Sequence, residues 1–443
     1  MKKYLYILSF FAFTISLKSQ EKTMQLSLEE AISFALENSY NTKASKNDIA
    51  SANEKVWETT TIGLPQIDAK VDYQNFLRQP ISVADINGDG IDEEFVFGTK
   101  QNVNATVTLS QILFDGSYLV GLQSAKTFLK ISEQAQEKTE LLTREAVINA
   151  YGNVLVAESS TAVLQKNIKI LQKNYDDAKK IYENGLNEEE DVEQLEITLG
   201  SLKNQLNSVK RLKGIAYQML NLSLGNPINT PLILTDSLDS LAIQNMNLNL
   251  ISGEFNVNNH IDFKIAENNR EGNRLMVKLE QSKALPTLST FINYGSQAFS
   301  SSFTFLNGNQ RWFDSSLLGV SLSVPIFSSF GRKARTAQAK IALETADLRL
   351  EETKQRLSLQ AEKAKNEYQL SIENYQTSKK NVGLSERIEK KQRIKFFEGI
   401  SSSFDLLQAQ NQLYAQQQNY IQAMLDVISN KAALENALNL PIK

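Results

Sequence analysis

The sequence predicts a mainly helical protein with a small β part, built from a duplicated helix, strand, strand, long helix, helix unit. Three observations carry that reading. The segment Tyr182-Glu183-Asn184-Gly185-Leu186, with Asp191-Val192 beyond it, returns as Phe396-Phe397-Glu398-Gly399-Ile400 with Asp405-Leu406, a shift of about 214 positions that also carries Leu224-Gly225-Asn226-Pro227 onto Leu438-Asn439-Leu440-Pro441. Between Tyr118 and Tyr182 the chain has no proline and only Gly121 and Gly152, which suits one helix of about 65 residues and roughly 100 Å. Four short runs switch to a period of two, the mark of strands with one apolar face.

In chain order, Lys2 and Lys3 precede an apolar run from Tyr4 to Leu17 and then Lys18-Ser19-Gln20, which reads as a signal peptide over 1–19. Without cysteine, no lipid attachment site follows it. The first repeat, 20–227, opens with Ser27 as a candidate cap before an amphipathic helix that breaks near Asn38 to Asn41 and ends by Gly63 and Pro65. Ile67, Ala69, Val71 and Tyr73 then alternate with Asp68, Lys70, Asp72 and Gln74, and Val103, Ala105, Val107 and Leu109 do the same further on, giving strands over about 66–78 and 95–114. The long helix follows over about 117–183 and a return helix over about 188–222. A 4-3 spacing through Ala150, Val154, Ala157, Thr161, Leu164, Ile168, Leu171, Tyr175 and Ala178 continues in Val192, Leu195, Leu199, Leu202, Leu206 and Val209, so the two helices pack as an antiparallel coiled coil.

A connector over 228–258, rich in Asn, Ser, Asp and Leu, reads as irregular with a short helix. The second repeat, 259–443, offers strands over about 286–300 (Leu288, Thr290, Ile292, Tyr294) and 313–327 (Leu318, Val320, Leu322, Val324), a long helix over 332–397 and a return helix over 402–438. Each strand has the length of a tilted transmembrane β-strand, and Tyr73, Phe76, Phe303, Phe305, Trp312 and Phe313 gather at the loop ends as an interfacial girdle does. An ordinary half-buried sheet shows the same alternation. Four strands are too few to enclose a lumen, so a membrane reading requires several copies of the chain.

Composition narrows the function. Net charge is −3, with no concentrated basic stretch, which argues against nucleic acid as a partner. Cysteine is absent and His260, expected as a solvated turn residue, is the one histidine, so thiol catalysis and Cys/His metal centres are excluded. No nucleophile, base and oxyanion set can be assembled, so an enzyme is not expected. The first repeat is longer by roughly eight residues between its strands, where Asp85-Ile86-Asn87-Gly88-Asp89-Gly90-Ile91-Asp92-Glu93 follows the first nine positions of a calcium loop. Asp85, Asn87 and Asp89, the Ile91 carbonyl and Glu93 are the candidate ligands. Val96 stands where the closing bidentate glutamate belongs, so an acidic turn without metal is the alternative.

The ordered set of duplicated tips, strand ends Leu113-Phe114-Asp115-Gly116 and Val324-Pro325-Ile326-Phe327, and the run Asp405-Leu406-Leu407-Gln408-Ala409-Gln410 resembles the TolC-like outer-membrane efflux protein family over nearly the whole mature chain. The resemblance implies a homotrimer whose twelve strands form one outer-membrane barrel, continued by a periplasmic α-helical coiled-coil barrel. It further implies a passive exit duct in a tripartite efflux pump or type I secretion system of a Gram-negative bacterium, in contact with outer-membrane lipid. Its expected partners are a periplasmic adaptor, docked at Gly185, Leu186, Gly399 and Ile400, and an inner-membrane transporter. Asp191 and Asp405 take the place of the family's entrance aspartates. Gln408 stands where a second aspartate is usual, and Phe396 and Ser401 replace a gate-locking tyrosine and arginine. A periplasmic or surface coiled-coil scaffold without channel activity is the competing reading.

Overall fold

The computed structural model describes residues 24–86, 88, 90–185 and 188–440, so the expected signal peptide lies outside the described residues. The elements in chain order are β1 (Met24–Leu26), α1 (Leu28–Asn38), α2 (Tyr40–Thr61), β2 (Gln66–Asn75), β3 (Ile81–Ala84), β4 (Glu93–Val96), β5 (Gln101–Phe114), α3 (Gly116–Glu183) and α4 (Glu189–Leu224). After them come β6 (Leu232–Leu234), α5 (Leu238–Gln244), two short 3-10 turns, α6 (Ile261–Ser282), β7 (Thr287–Ser300), β8 (Trp312–Ser323), α7 (Gly331–Phe397) and α8 (Ser403–Ala437). The chain divides into two compact units. One holds the residues through Ala44, Thr139–Asn256 and those from Ser358; the other holds Ser45–Lys138 and Val257–Leu357.

In the first unit α1 starts at a capping box: Glu30 N–H donates to the Ser27 hydroxyl, and the Glu30 carboxylate accepts from Ser27 N–H at 2.8 Å. Ser39, extended at ψ 148°, breaks the helix where the sequence places a break. The connector contributes more order than its composition suggests, because β6 pairs in parallel with β1, Met24 opposite Leu232 and Leu26 opposite Leu234. Tyr151 is fully buried at the centre of this core, its hydroxyl 3.0 Å from both the Leu26 carbonyl and the Asp236 carboxylate, so the ring fills apolar space while its polar end is satisfied. Farther along, Leu164, Leu171 and Ala178 of α3 meet Val192, Leu195, Leu199 and Leu202 of α4, joined by Phe396 and Leu406 from the second repeat. The 4-3 stripe is therefore the buried seam, and truncating one of its leucines to Ala costs about 2–5 kcal/mol.

In the second unit, β2, β5, β7 and β8 form one antiparallel sheet in that order, and β3 and β4 form a separate hairpin within the inserted loop. β2 and β8 are edge strands, and no other described strand pairs with their outer sides. His260 corrects an expectation. It is buried, with 5% of its surface exposed, and caps α6 by accepting the Asp262 N–H at Nδ1 (3.1 Å). Burial holds its pKa below the ordinary value, assisted by Lys138, Arg356 and Lys264 and opposed by Asp262. An imidazole at a helix start replaces the usual Ser or Asp cap, a role its polar neighbours in the sequence did not reveal.

Candidate functional site

The sheet sorts its residues by face. Register places Ile67, Leu109, Ile292 and Leu318 side by side across all four strands, then Ala69, Val107, Tyr294 and Ser316, and finally Tyr73, Val103, Ala298 and Trp312. All four alternating apolar sets thus share one face, and on the edge strands it lies bare: Ile67, Val71, Leu318 and Val320 are each about two-thirds exposed. From the Leu288–Leu322 pair to the Ala298–Trp312 pair is ten residues, which at about 3.3 Å each and a tilt near 40° gives an apolar band about 25 Å tall.

At the loop end Tyr73 contacts Phe303 and Phe305 edge-on, with ring centroids 5.8 and 6.0 Å away, and Phe305 is buried with Val103 and Ala298. Phe313 departs from the expected girdle. It pairs with Gln297 and so stands on the opposite face, where its ring lies 6.0 Å from that of Phe299. That opposite face is mostly polar, with rows Asp68, Thr108, Asn293, Leu317 and Lys70, Thr106, Gly295, Ser315. No helix among the described residues is long and apolar enough to cross a membrane.

The second element is the pair of helical tips. Gly185 and Gly399 both have positive φ (74° and 69°), where a residue with Cβ is strained. At the second tip Gly399 N–H donates to the Phe396 carbonyl (3.1 Å) and Ile400 N–H to the Lys395 carbonyl (2.8 Å), closing the helix end and leaving Ile400 75% exposed. Leu186 lies outside the described residues. The two tips are bonded to each other: Ser403 N–H donates to Asp191 Oδ1 at 3.3 Å, and the Ser403 hydroxyl to Gln194 at 3.0 Å.

Asp405 accepts from the hydroxyls of Ser402 (3.0 Å) and Ser401 (3.1 Å) and from Ser402 N–H, and these bonds hold its carboxyl below the usual aspartate range. It is both a surface charge and the third helical residue of the capping box that starts α8, where Ser402 is the cap. Ser402-Ser403-Phe404-Asp405 spells a capping box, so the sequence contained that signal. Gln408 lines a groove of about 500 Å3 between α4 and α8, together with Gln194, Ile197, Thr198, Phe404, Leu407 and Asn411. Phe404 and Ile197, both largely exposed, were not among the residues the sequence singled out.

In the inserted loop, both carboxylate oxygens of Asp85 accept backbone N–H groups, of Gly88 at 2.7 Å and of Gly90 at 2.8 Å. Asn87 and Asp89 lie outside the described residues, and among the described residues no cluster of three metal-binding side chains forms. Ile91 and Glu93 flank the turn at the start of β4.

An exposed apolar sheet face with two open edges, and a pair of bonded helical tips, are features of an outer-membrane channel subunit. The fold agrees with solved structures: VceC of Vibrio cholerae (16% identity, covering 93% of this chain and 95% of that one, TM-score 0.71), the CmeC outer membrane channel of Campylobacter jejuni (16%, 93% and 85%, 0.72) and the MtrE outer membrane channel of Neisseria gonorrhoeae (16%, 93% and 88%, 0.67). No curated protein sequence matches the chain. The model of the outer membrane efflux protein family matches residues 31–226 and 257–440, and the chain belongs to that family. It is therefore a non-enzymatic efflux channel of the outer membrane with a periplasmic helical extension, and the family implies a trimer.

Proposed function

We propose that three copies of this chain form the exit duct of a tripartite pump, docked through the tips at Gly185, Leu186, Gly399 and Ile400 to a periplasmic adaptor that links it to an inner-membrane transporter. The observation that carries the assembly is the sheet register, which gives four strands one apolar face, one mostly polar face and two unpaired edges. In lipid, edges must be closed. Eight strands from two copies enclose little more than side chains, whereas twelve from three copies leave a lumen, and an even count keeps every pair antiparallel.

The docking part rests on the exposed Ile400 and Phe404 beside the α4–α8 groove, apolar surface at a helix turn that a partner helix can cover. Asp191, Asp405 and Gln408 line the entrance constriction in this reading, with two carboxylates per copy. The test places a photo-crosslinking amino acid at Ile400 in cells. A covalent product with an adaptor, identified by mass spectrometry, on a detergent-extracted trimer is expected. Products containing this chain alone, or a chain extracted without detergent as a soluble monomer, refute the proposal.

A further inference from the structure

We propose that Asp68 sets the ion preference of the barrel lumen, favouring cationic over anionic cargo; this rests on the trimeric channel reading. The charged residues of the four paired strands are Asp68, Lys70, Asp72 and Asp314. Asp314 shares its row with Val71, Ala105 and Ser296, so it stands on the lipid-side face, where it accepts a hydrogen bond from the Ser296 hydroxyl at 2.6 Å. The lumen face carries Asp68, Lys70 and Asp72.

Lys70 and Asp72 neutralise one another at 3.0 Å. Asp68 has no such partner. Its neighbours in the same row, Thr108 and Asn293, are bonded to each other at 3.0 Å, and Asp68 makes no hydrogen bond or ion pair among the described residues. Closing the barrel does not change this. The strand that meets the open side of β2 is the β8 of the next copy, whose lumen-side residues Phe313, Ser315, Leu317, Gly319, Ser321 and Ser323 carry no charge in any register. The basic residues that follow, Arg332, Lys333 and Arg335, belong to α7, beyond the paired part of β8.

Three copies therefore place three uncompensated carboxylates in one ring. Twelve strands about 4.8 Å apart and tilted about 40° give a barrel radius of about 12 Å. The Debye length is about 10 Å at 0.1 M salt and about 3 Å at 1 M, so the ring's field reaches the axis at the lower concentration and fails to at the higher. Screened attraction of three charges at about 12 Å enriches monovalent cations on the axis roughly 1.7-fold and depletes anions equally, about a threefold bias at 0.1 M and almost none at 1 M.

The experiment is zero-current potential in planar bilayers across a potassium chloride gradient, for purified wild-type trimer, Asp68→Asn, Asp68→Lys and Asp68→Glu. Relative to wild type, the cation-to-anion permeability ratio is expected to fall about threefold in Asp68→Asn at 0.1 M and about twice as far on a logarithmic scale in Asp68→Lys. Asp68→Glu is expected to match wild type, and the differences are expected to vanish at 1 M. Identical potentials for all four proteins at 0.1 M overturn the inference, as does a shift that persists undiminished at 1 M. A wild-type protein that forms no conducting trimer instead refutes the channel reading on which it rests.

Discussion

The turn at Gly399 separates the folding of the tip from its surface chemistry. A Cβ built on Gly399 meets no atom within 4 Å, so substitution there costs only the strain of a positive φ, 69°. That strain is about 1–2 kcal/mol for an ordinary side chain and less for Asn, which tolerates the left-handed region. The hairpins it joins are held by Phe396, Leu406, Leu195 and their neighbours, any one of which contributes about 2–5 kcal/mol against truncation. Strain at one turn is thus too small to unfold the tip. Gly399→Glu is expected to yield normal amounts of detergent-extracted trimer, with melting lowered by no more than about a few degrees. Its three added carboxylates sit beside Ile400, where the adaptor is proposed to dock, so efflux of a fluorescent substrate from cells is expected to fall to the level of a deletion strain. Gly399→Asn, which keeps the turn and adds no charge, is expected to retain efflux. Wild-type efflux in a correctly inserted Gly399→Glu protein would refute tip docking; equal loss in Gly399→Asn would shift the cause from surface charge to turn geometry.

Three further outcomes are expected. Asp405→Asn keeps an acceptor for the Ser402 cap while removing the charge, so it should lower the cation preference of the trimer with little change in melting. Asp405→Ala should lower the preference by as much and also melt at a lower temperature, because the bond to the Ser402 cap is lost; an unchanged zero-current potential in both removes Asp405 from the constriction. His260 has its pKa depressed in the folded chain, so the unfolded chain takes up the proton first, and stability falls as pH drops below about 6.5. His260→Asn should flatten that dependence in melting curves between pH 7.5 and 5, and an unflattened curve assigns the acid sensitivity elsewhere. If the 85–94 loop holds calcium through Asp85, Asn87, Asp89, Ile91 and Glu93, calcium should protect it from added protease and Asp89→Ala should abolish protection; cleavage equal in calcium and chelator leaves a turn closed by Asp85 alone.

Periodicity made most of the fold legible. A two-residue alternation reports which side chains share a face, and every apolar set read from the four strands lies on one face once the register is known. The heptad stripe worked equally well because antiparallel partners must bury it, as Leu164, Leu171, Leu195 and Leu199 do. Features set by three-dimensional pairing were not legible. Phe313 was assigned to the girdle by its neighbourhood in the chain, yet a one-residue step in a strand turns it to the other face. Nothing local marked Leu232–Leu234 as a partner for Met24–Leu26, since a three-residue strand has no period to read. At the tips Ser402-Ser403-Phe404-Asp405 spells its capping box in the sequence, but only geometry shows that Asp191 reaches the backbone of the neighbouring hairpin.

The two open sheet edges also have a genetic consequence. In the proposed trimer β2 of one copy meets β8 of the next, so each junction joins unlike surfaces, and a ring closes only when every copy offers both. A chain damaged at one edge still binds through the other and occupies a place in a ring it prevents from closing. In a cell making equal amounts of intact and edge-damaged chains, only about one ring in eight is built wholly from intact copies. Alleles that disrupt the outer side of β2 or β8 should therefore behave as dominant, while alleles that prevent export of the chain should be recessive.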